Sequence, residues 1–369
     1  MKKTIKTLLI VLVILVMVAA CRAKPEEEQV SELAGEPTAL PQVDRTHKMS
    51  VLVHDSFAVS EAVIFAFEEA NDVNVSFIKA GDAGAALNRA ILTKDAPIAD
   101  VFYGVDNTFL SRAIEEDLFE AYDSPLLADI DDRLKQAPNN EALPVDFGDV
   151  CLNYDKAILN EDNIPVPTGF ESLTNEMYRD MLVVQNPATS STGLAFLLAT
   201  IDYFGEDGYL DYWRALQSYG LLVVNDWETA YYGHFSRYAG EQSGRPIVLS
   251  YATSPAAELI FSPEPLEEAP TAAVLTRGTC FRQIEFVGIL KGTQQRELAE
   301  KFVDFMLDEP FQNDIAPQMF MMPVNNRVPT PLIYDDIEGM PLFPVLMDPD
   351  LIAEKRDAWI EEWTEAVLR

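Results

Sequence analysis

From Met49 onward, short apolar segments that fit β-strands alternate with longer amphipathic segments that fit helices. That order belongs to an α/β fold, in which helices cover a largely parallel sheet. Strands are expected at Ser50 to Val53, Val73 to Ile78, Ala99 to Tyr103, Val150 to Tyr154, Met181 to Val184, Leu221 to Val224, Ile247 to Ser250 and Glu285 to Leu290. Helices are expected at Glu61 to Ala70, Ala83 to Thr93, Asn107 to Glu116, Leu194 to Phe204, Asp211 to Ser218, Thr229 to Tyr238 and Gln294 to Leu307, with Asp82 and Thr293 standing where N-caps are wanted. The stretch from Lys48 to Arg369 exceeds the roughly 250 to 300 residues at which one hydrophobic core stops growing, so two lobes are expected.

The N-terminus is of another kind. Lys2, Lys3 and Lys6 precede the apolar run Leu8 to Val18, and Val18-Ala19-Ala20 leads straight into Cys21. A basic start, a short apolar core and small residues before the cut make a secretory signal, and the cysteine makes it a lipoprotein signal over residues 1–20. A membrane span needs roughly 17 to 25 residues, longer than this run. Cys21 is therefore the expected lipid attachment point, which places an exported chain on the cell membrane, facing the periplasm or the exterior. Residues 21–47 carry Pro25, Pro37, Pro41 and the Glu26-Glu27-Glu28 run with few large apolar residues, the composition of a flexible tether.

The formal net charge is −33, and losing Lys2, Lys3 and Lys6 with the signal deepens it. Nucleic acid and acidic lipid are poor partners for such a chain, and a cationic ligand is drawn to it. Acidic runs such as Asp129 to Asp132 and Glu264 to Glu268 read individually as solvated faces. With Cys21 assigned to lipid, Cys151 and Cys280 remain, a pair for which an oxidising compartment permits a disulfide without demanding one. Catalytic signatures are thin: the chain has no phosphate-binding Gly-Lys-Ser/Thr loop, no Gly-x-Ser-x-Gly elbow and no His-Glu-x-x-His.

Ligands of open α/β sheets bind beyond the carboxyl ends of the strands. The residues there are polar: His54, Asp55 and Ser56 after the first strand; Gly104, Val105, Asp106 and Asn107 after the third; Gln185 to Gly193 opening a helix; and Tyr251 to Ser254. A helix that opens with Thr189, Ser190, Ser191 and Thr192 offers unpaired N–H groups and hydroxyls to an anion, or simply caps itself. Trp227 also starts a helix, either as core or as a platform for a flat or cationic ligand.

Taken together these segments resemble the thiamine-binding proteins of bacterial ABC importers, within the two-lobed periplasmic binding proteins. The resemblance covers nearly the whole folded chain. It is carried by His54-Asp55-Ser56-Phe57-Ala58, Gly104-Val105-Asp106-Asn107, Val145-Asp146-Phe147-Gly148 with Asn153-Tyr154-Asp155-Lys156, Asn186-Pro187 with Thr189 to Leu194, Trp227 with Ala230-Tyr231, Leu249 to Ala256, and Met322-Pro323-Val324-Asn325. It implies a type II binding-protein fold, each lobe a mostly parallel sheet flanked by helices, with crossing strands as the hinge. Residues 48–143 and 284–324 make lobe 1, residues 144–283 make lobe 2, and the tail 325–369 packs across them. It implies a monomer that closes on thiamine or its phosphates and delivers it to a membrane permease, with no cofactor, resident metal or catalysis. Trp227 and Tyr251 become aromatic walls, Asp106 the acidic reader of the aminopyrimidine, and Ser190, Ser191 and Thr192 the phosphate end. His54, Asp55, Ser56, Asn107, Tyr231, Phe320 and Asn325 complete the expected ligand set. Some positions depart from the pattern: His54 replaces a usual tyrosine, and Glu61, Ala257 and Phe320 replace aromatics found in some members. Cys151 and Cys280 fall beside the two hinge crossings, which suggests that they are bonded.

Three other readings compete. His54, Tyr231 and Tyr232 suit a ferric ion, although neighbouring residues of a helix point about 100° apart. A polyamine also matches the charge. A thiaminase of this fold needs Cys151 or Cys280 as a reactive thiolate.

Overall fold

Two long strands run through the middle of the sheet and belong to both of its halves. The computed structural model describes residues 44–369 except 161, 162, 241, 242 and 338, so the signal, Cys21 and most of the tether lie outside the described residues. The strands are β1 (His47–Val53), β2 (Val73–Lys79), β3 (Val101–Asp106), β4 (Phe119–Glu120), β5 (Leu143–Asp155), β6 (Leu182–Gln185), β7 (Leu222–Val224), β8 (Ile247–Tyr251), β9 (Thr271–Ala273), β10 (Phe281–Leu290) and β11 (Met322–Pro323). They follow the order β2-β1-β3-β10-β5-β8-β6-β7, with β4 on β10 and β9 and β11 on β5. The outer trios β2-β1-β3 and β8-β6-β7 are parallel, whereas β3-β10, β10-β5 and β5-β8 are antiparallel. The start of β5 pairs with β10 and β11, and its end with β8 and β9.

The main helices are α1 (Glu61–Asn71), α2 (Ala83–Leu92), α3 (Leu110–Glu115), α4 (Ser191–Phe204), α5 (Tyr209–Ser218), α6 (Ser236–Ala239), α7 (Ser254–Ile260), α8 (Arg296–Leu307), α9 (Glu309–Met319) and α10 (Pro349–Val367). Alternation along β1 sends Met49, Val51 and Val53 toward Phe67 of α1 and Phe302 of α8, and Leu52 toward Leu87 of α2. Ser191 to Ile201 of α4 are all buried, the pattern of a helix enclosed by the core. In the tail, α10 sets Trp363 edge-on to Trp213 of α5 at 5.3 Å, and Arg356 donates to Ser111 of α3 at 2.9 Å.

Several expectations change at the edges. β1 begins at His47, inside the stretch read as tether, and Arg45 just before it pairs with Glu68 and covers the Phe65 ring. The strand expected from Val150 starts at Leu143, because Leu143-Pro144-Val145-Asp146-Phe147-Gly148 pairs along β10 despite its proline, glycine and acid. The helix expected from Asn107 starts at Leu110: Asn107 is tied to β10, accepting the Ile284 N–H at 3.0 Å and donating to the Arg282 carbonyl at 3.1 Å. The segment expected to be one helix from Thr229 to Tyr238 is a π-helical turn, Thr229–His234, followed by α6. Helix α9 and the helical tail α10 carry no strong periodicity and are additions to the sequence reading. Cys151 of β5 and Cys280, next to β10, form a buried disulfide with Cα atoms 4.5 Å apart.

Candidate functional site

A cavity of about 280 Å³ opens between the two halves of the sheet, close to the lower end of the roughly 300 to 1,000 Å³ found for small-molecule sites. The loop after β1 supplies His54, Asp55 and Ser56. Across from it stand Ser191 and Thr192 of α4, Trp227, Tyr231 of the π-turn and Tyr251 of β8, with Phe320 closing a third side.

Local structure fixes each wall. Gly104 has φ +101°, and a Cβ there would come within 2.4 Å of the His54 ring, so the backbone after β3 makes the space that His54 occupies. Trp227 donates its indole N–H to Ser250 at 2.9 Å and stacks on Tyr231 with centroids 4.9 Å apart and planes 16° from parallel. Tyr231 is anchored in turn by Glu258, 2.8 Å from its hydroxyl. Both Tyr231 and Tyr232, adjacent on the π-turn, border the cavity. Phe320 holds φ +57° and lies edge-on to Phe261, a strained non-glycine conformation of the kind that clusters at ligand sites.

The first turn of α4 has no side-chain cap from Ser190, so its leading N–H groups lack intrahelical partners. Ser190 and Thr192 hydroxyls lie 3.0 Å apart, and Thr192 donates to Gln185 at 2.9 Å. Asp82 joins the two halves here: one oxygen caps α2 through the Ala83 N–H at 2.8 Å, and the other accepts the Trp227 N–H at 3.2 Å. Burial pushes its carboxyl up, and a bond from Ser190 opposes that rise.

The floor is acidic. Asp106 of β3, Glu285 of β10 and Asp146 of β5 are direct neighbours across three adjacent strands, and all are buried. Register shifts follow Glu285 on the β5 side and Phe286 on the β3 side; such bulges re-aim side chains, and here Glu285 is the row member that lines the cavity. Its Oε1 lies 3.5 Å from His54 Nε2. Among the described residues no lysine or arginine pairs with any of the three. Burial pushes Asp106 up to about 8 even though Thr108 donates to it, and its second oxygen has no partner. Like charges facing one another on neighbouring strands destabilise a sheet, so this floor is completed by positive charge or by protons.

The residues read from sequence divide accordingly. Asp106 lies beneath the cavity without lining it, Ser190 sits behind Ser191, and Asn107 serves β10. Asn325 is buried elsewhere, donating to the Leu307 carbonyl at 2.8 Å and lining a separate cleft with Arg282. Glu285, Asp82, Tyr238 and Met319 line the cavity unforeseen. For Glu285 the signal was present: a carboxylate between Ile284 and Phe286 inside an apolar strand. Cys151 and Cys280 are bonded to each other and lie outside the cavity lining, so neither offers the thiolate of a thiaminase. Of the residues considered for iron, Tyr231 directs its hydroxyl to Glu258, and His54 faces Glu285.

A central cavity where β5 and β10 pass between two parallel-sheet halves defines a two-lobed, type II solute-binding protein. The sequence model for "Bacterial extracellular solute-binding protein" matches residues 96–334, and the chain belongs to that family. The chain is 31% identical over 325 residues to the thiamine-binding periplasmic protein of Escherichia coli, and 30% identical over 329 residues to that of Salmonella typhimurium. Each alignment covers 87% of this chain and 94% of the relative. A solved structure, "Periplasmic thiamin binding protein", superposes with a TM-score of 0.77 at 28% identity, covering 89% of this chain and 99% of the other.

Proposed function

We propose that this protein captures thiamine, or one of its phosphates, and delivers it to the permease of an ABC importer. The observation that carries the reading is the pairing of an aromatic-walled cavity with a buried carboxylate floor with which, among the described residues, no lysine or arginine pairs; Lys79, which also lines the cavity, bonds the Asp55 carbonyl instead. Thiamine brings a permanently charged thiazolium and a flat aminopyrimidine, which match the two. Trp227 contributes ~2 kcal/mol to a desolvated cation over its face. A charge-assisted bond that Glu285, the row's cavity-lining member, accepts from the ligand's amino group contributes roughly 1.5 to 3 kcal/mol. The unpaired N–H groups of α4 with Ser191 and Thr192 suit the hydroxyethyl or phosphate end. The names of the relatives support the same ligand.

In this reading residues 48–143 and 284–324 form one lobe and residues 144–283 the other, and the lobes close on the ligand about β5 and β10. The protein acts as a monomer without catalysis, held to the membrane through lipid on Cys21. Calorimetric titration of ligand-stripped protein with thiamine, thiamine monophosphate and ferric citrate tests it. Saturable one-to-one binding of a thiamine form is expected; binding of iron alone overturns the assignment.

A further inference from the structure

The hydrogen count beneath the cavity requires a proton. Tyr103 Oη lies 3.0 Å from Glu285 Oε2 and within hydrogen-bond distance of Asp146 Oδ2. One phenol has one hydrogen to donate, and ionised carboxylates have none. Both contacts are hydrogen bonds only when one of the carboxyls carries a proton and donates it to the phenol oxygen.

The surroundings decide which one. Glu285 borders the cavity and has polar neighbours besides Tyr103: His54 at 3.5 Å and the Gln283 amide at 3.4 Å. Asp146 does not reach the cavity lining, is 0% exposed, and its Oδ1 has no partner. The titratable groups around the pair come from every packed element: Tyr103 and Asp106 from β3, His54 from the loop after β1, Asp82 ahead of α2, Tyr251 from β8, and Tyr334 from the turn beyond β11. None of them is a fixed cation. Burial, reinforced by the nearby Glu285 charge, drives Asp146 well above the ordinary carboxylate range, and the same neighbours keep the hydrogen on Tyr103.

We propose that Asp146 is a positioning residue, a neutral carboxylic acid that donates to Tyr103, which donates to Glu285 and holds it as the ionised acceptor facing the ligand. The relay rests on the reading of the cavity as a site for an organic cation. It also gives Tyr103 and Asp146, which lie outside the cavity lining, a defined effect on affinity.

Asparagine at 146 presents an N–H₂ that donates to Tyr103 as the acid does, whereas valine presents nothing. In calorimetric titrations with thiamine, Asp146→Asn is expected to bind within about threefold of the unsubstituted protein, and Asp146→Val and Glu285→Gln to lose roughly tenfold or more. If Asp146 were ionised, its asparagine variant would lose cation attraction as Glu285→Gln does, and that result overturns the proposal. A second measurement needs neither ligand nor the valine variant. In the Asp106→Asn background, which removes the other protonated carboxyl of the row, the infrared spectrum at neutral pH is expected to lose protonated-carboxyl carbonyl intensity when Asp146→Asn is added, and an unchanged spectrum overturns the relay. If thiamine fails to bind while the intensity assigned to Asp146 by this difference is present, the functional reading falls and the protonated Asp146 stands.

Discussion

Asp146 and Asp149 lie on the same strand, three residues apart, and both are fully buried, yet they meet opposite surroundings. Asp149 receives two parallel hydrogen bonds from Arg282, each 2.8 Å, and that guanidinium is stacked 4.7 Å over Phe147. Asp146 meets Tyr103 and Glu285. Burial raises both carboxyls, but for Asp149 the arginine opposes the rise and for Asp146 a second carboxylate adds to it. A buried acid with its own cation holds the fold together. A buried acid among other acids is a cost that the fold carries for its cavity.

The comparison breaks first at Asp149. Asp149→Ala leaves the half-buried Arg282 without its partner, and chemical denaturation is expected to show a loss of about 3 kcal/mol, the lower end for buried pairs because Arg282 keeps a quarter of its side chain in solvent. Asp146→Asn, which removes no cation's partner, should leave the denaturation midpoint much closer to that of the parent. The disulfide ties the same two strands: replacing Cys151 and Cys280 together by alanine should cost roughly 2 to 4 kcal/mol, read as a lower melting temperature, since the bond closes a long loop of the unfolded chain.

On the cavity side the expected effects fall on affinity. Trp227→Ala should weaken thiamine binding by ~2 kcal/mol, measured calorimetrically, alongside the separate loss of stability from the Ser250 bond and the stacking on Tyr231. Unchanged affinity would remove the aromatic wall from the site.

A pH-dependent effect sharpens the acidic side. Asp106 is held up to about 8, so between its ordinary range and that pH the folded protein keeps a proton that the unfolded chain has released. The stability of the ligand-free protein should therefore fall as pH rises through this window, and Asp106→Asn should flatten the fall when denaturation is compared at pH values near 5 and 8. A slope unchanged in the variant would assign the titration to another group.

The parts of this design that repeat along the chain are legible in the sequence. The parallel trios announce themselves because β1, β3, β6 and β8 are runs of apolar residues buried on both faces. The first half of β5 does not, since Asp146, in the acidic row beneath the cavity, and Gly148, packed against Met321 and Tyr251, break the apolar pattern on which a strand is recognised. Gly148 has that place because a Cβ would come within 2.7 Å of the Met321 sulfur. Most of the cavity walls were legible for a similar reason: strand ends point to one edge of a sheet, and His54, Trp227 and Tyr251 stand at such ends. Asn325 shared the polar character of that set, but its amide is spent on the backbone of α8.

What the sequence by itself determined is the inventory: the α/β order, the acidic excess, the aromatic and carboxylate residues at strand ends, and the cysteines available to one another. These depend on local periodicity and residue chemistry, which a linear chain displays. The tertiary structure alone decided which carboxylate faces the cavity. Asp106, Asp146 and Glu285 come from three distant segments, and only the register of β3, β10 and β5, shifted by the bulge beside Glu285, sets one acid at the cavity and leaves two beneath it.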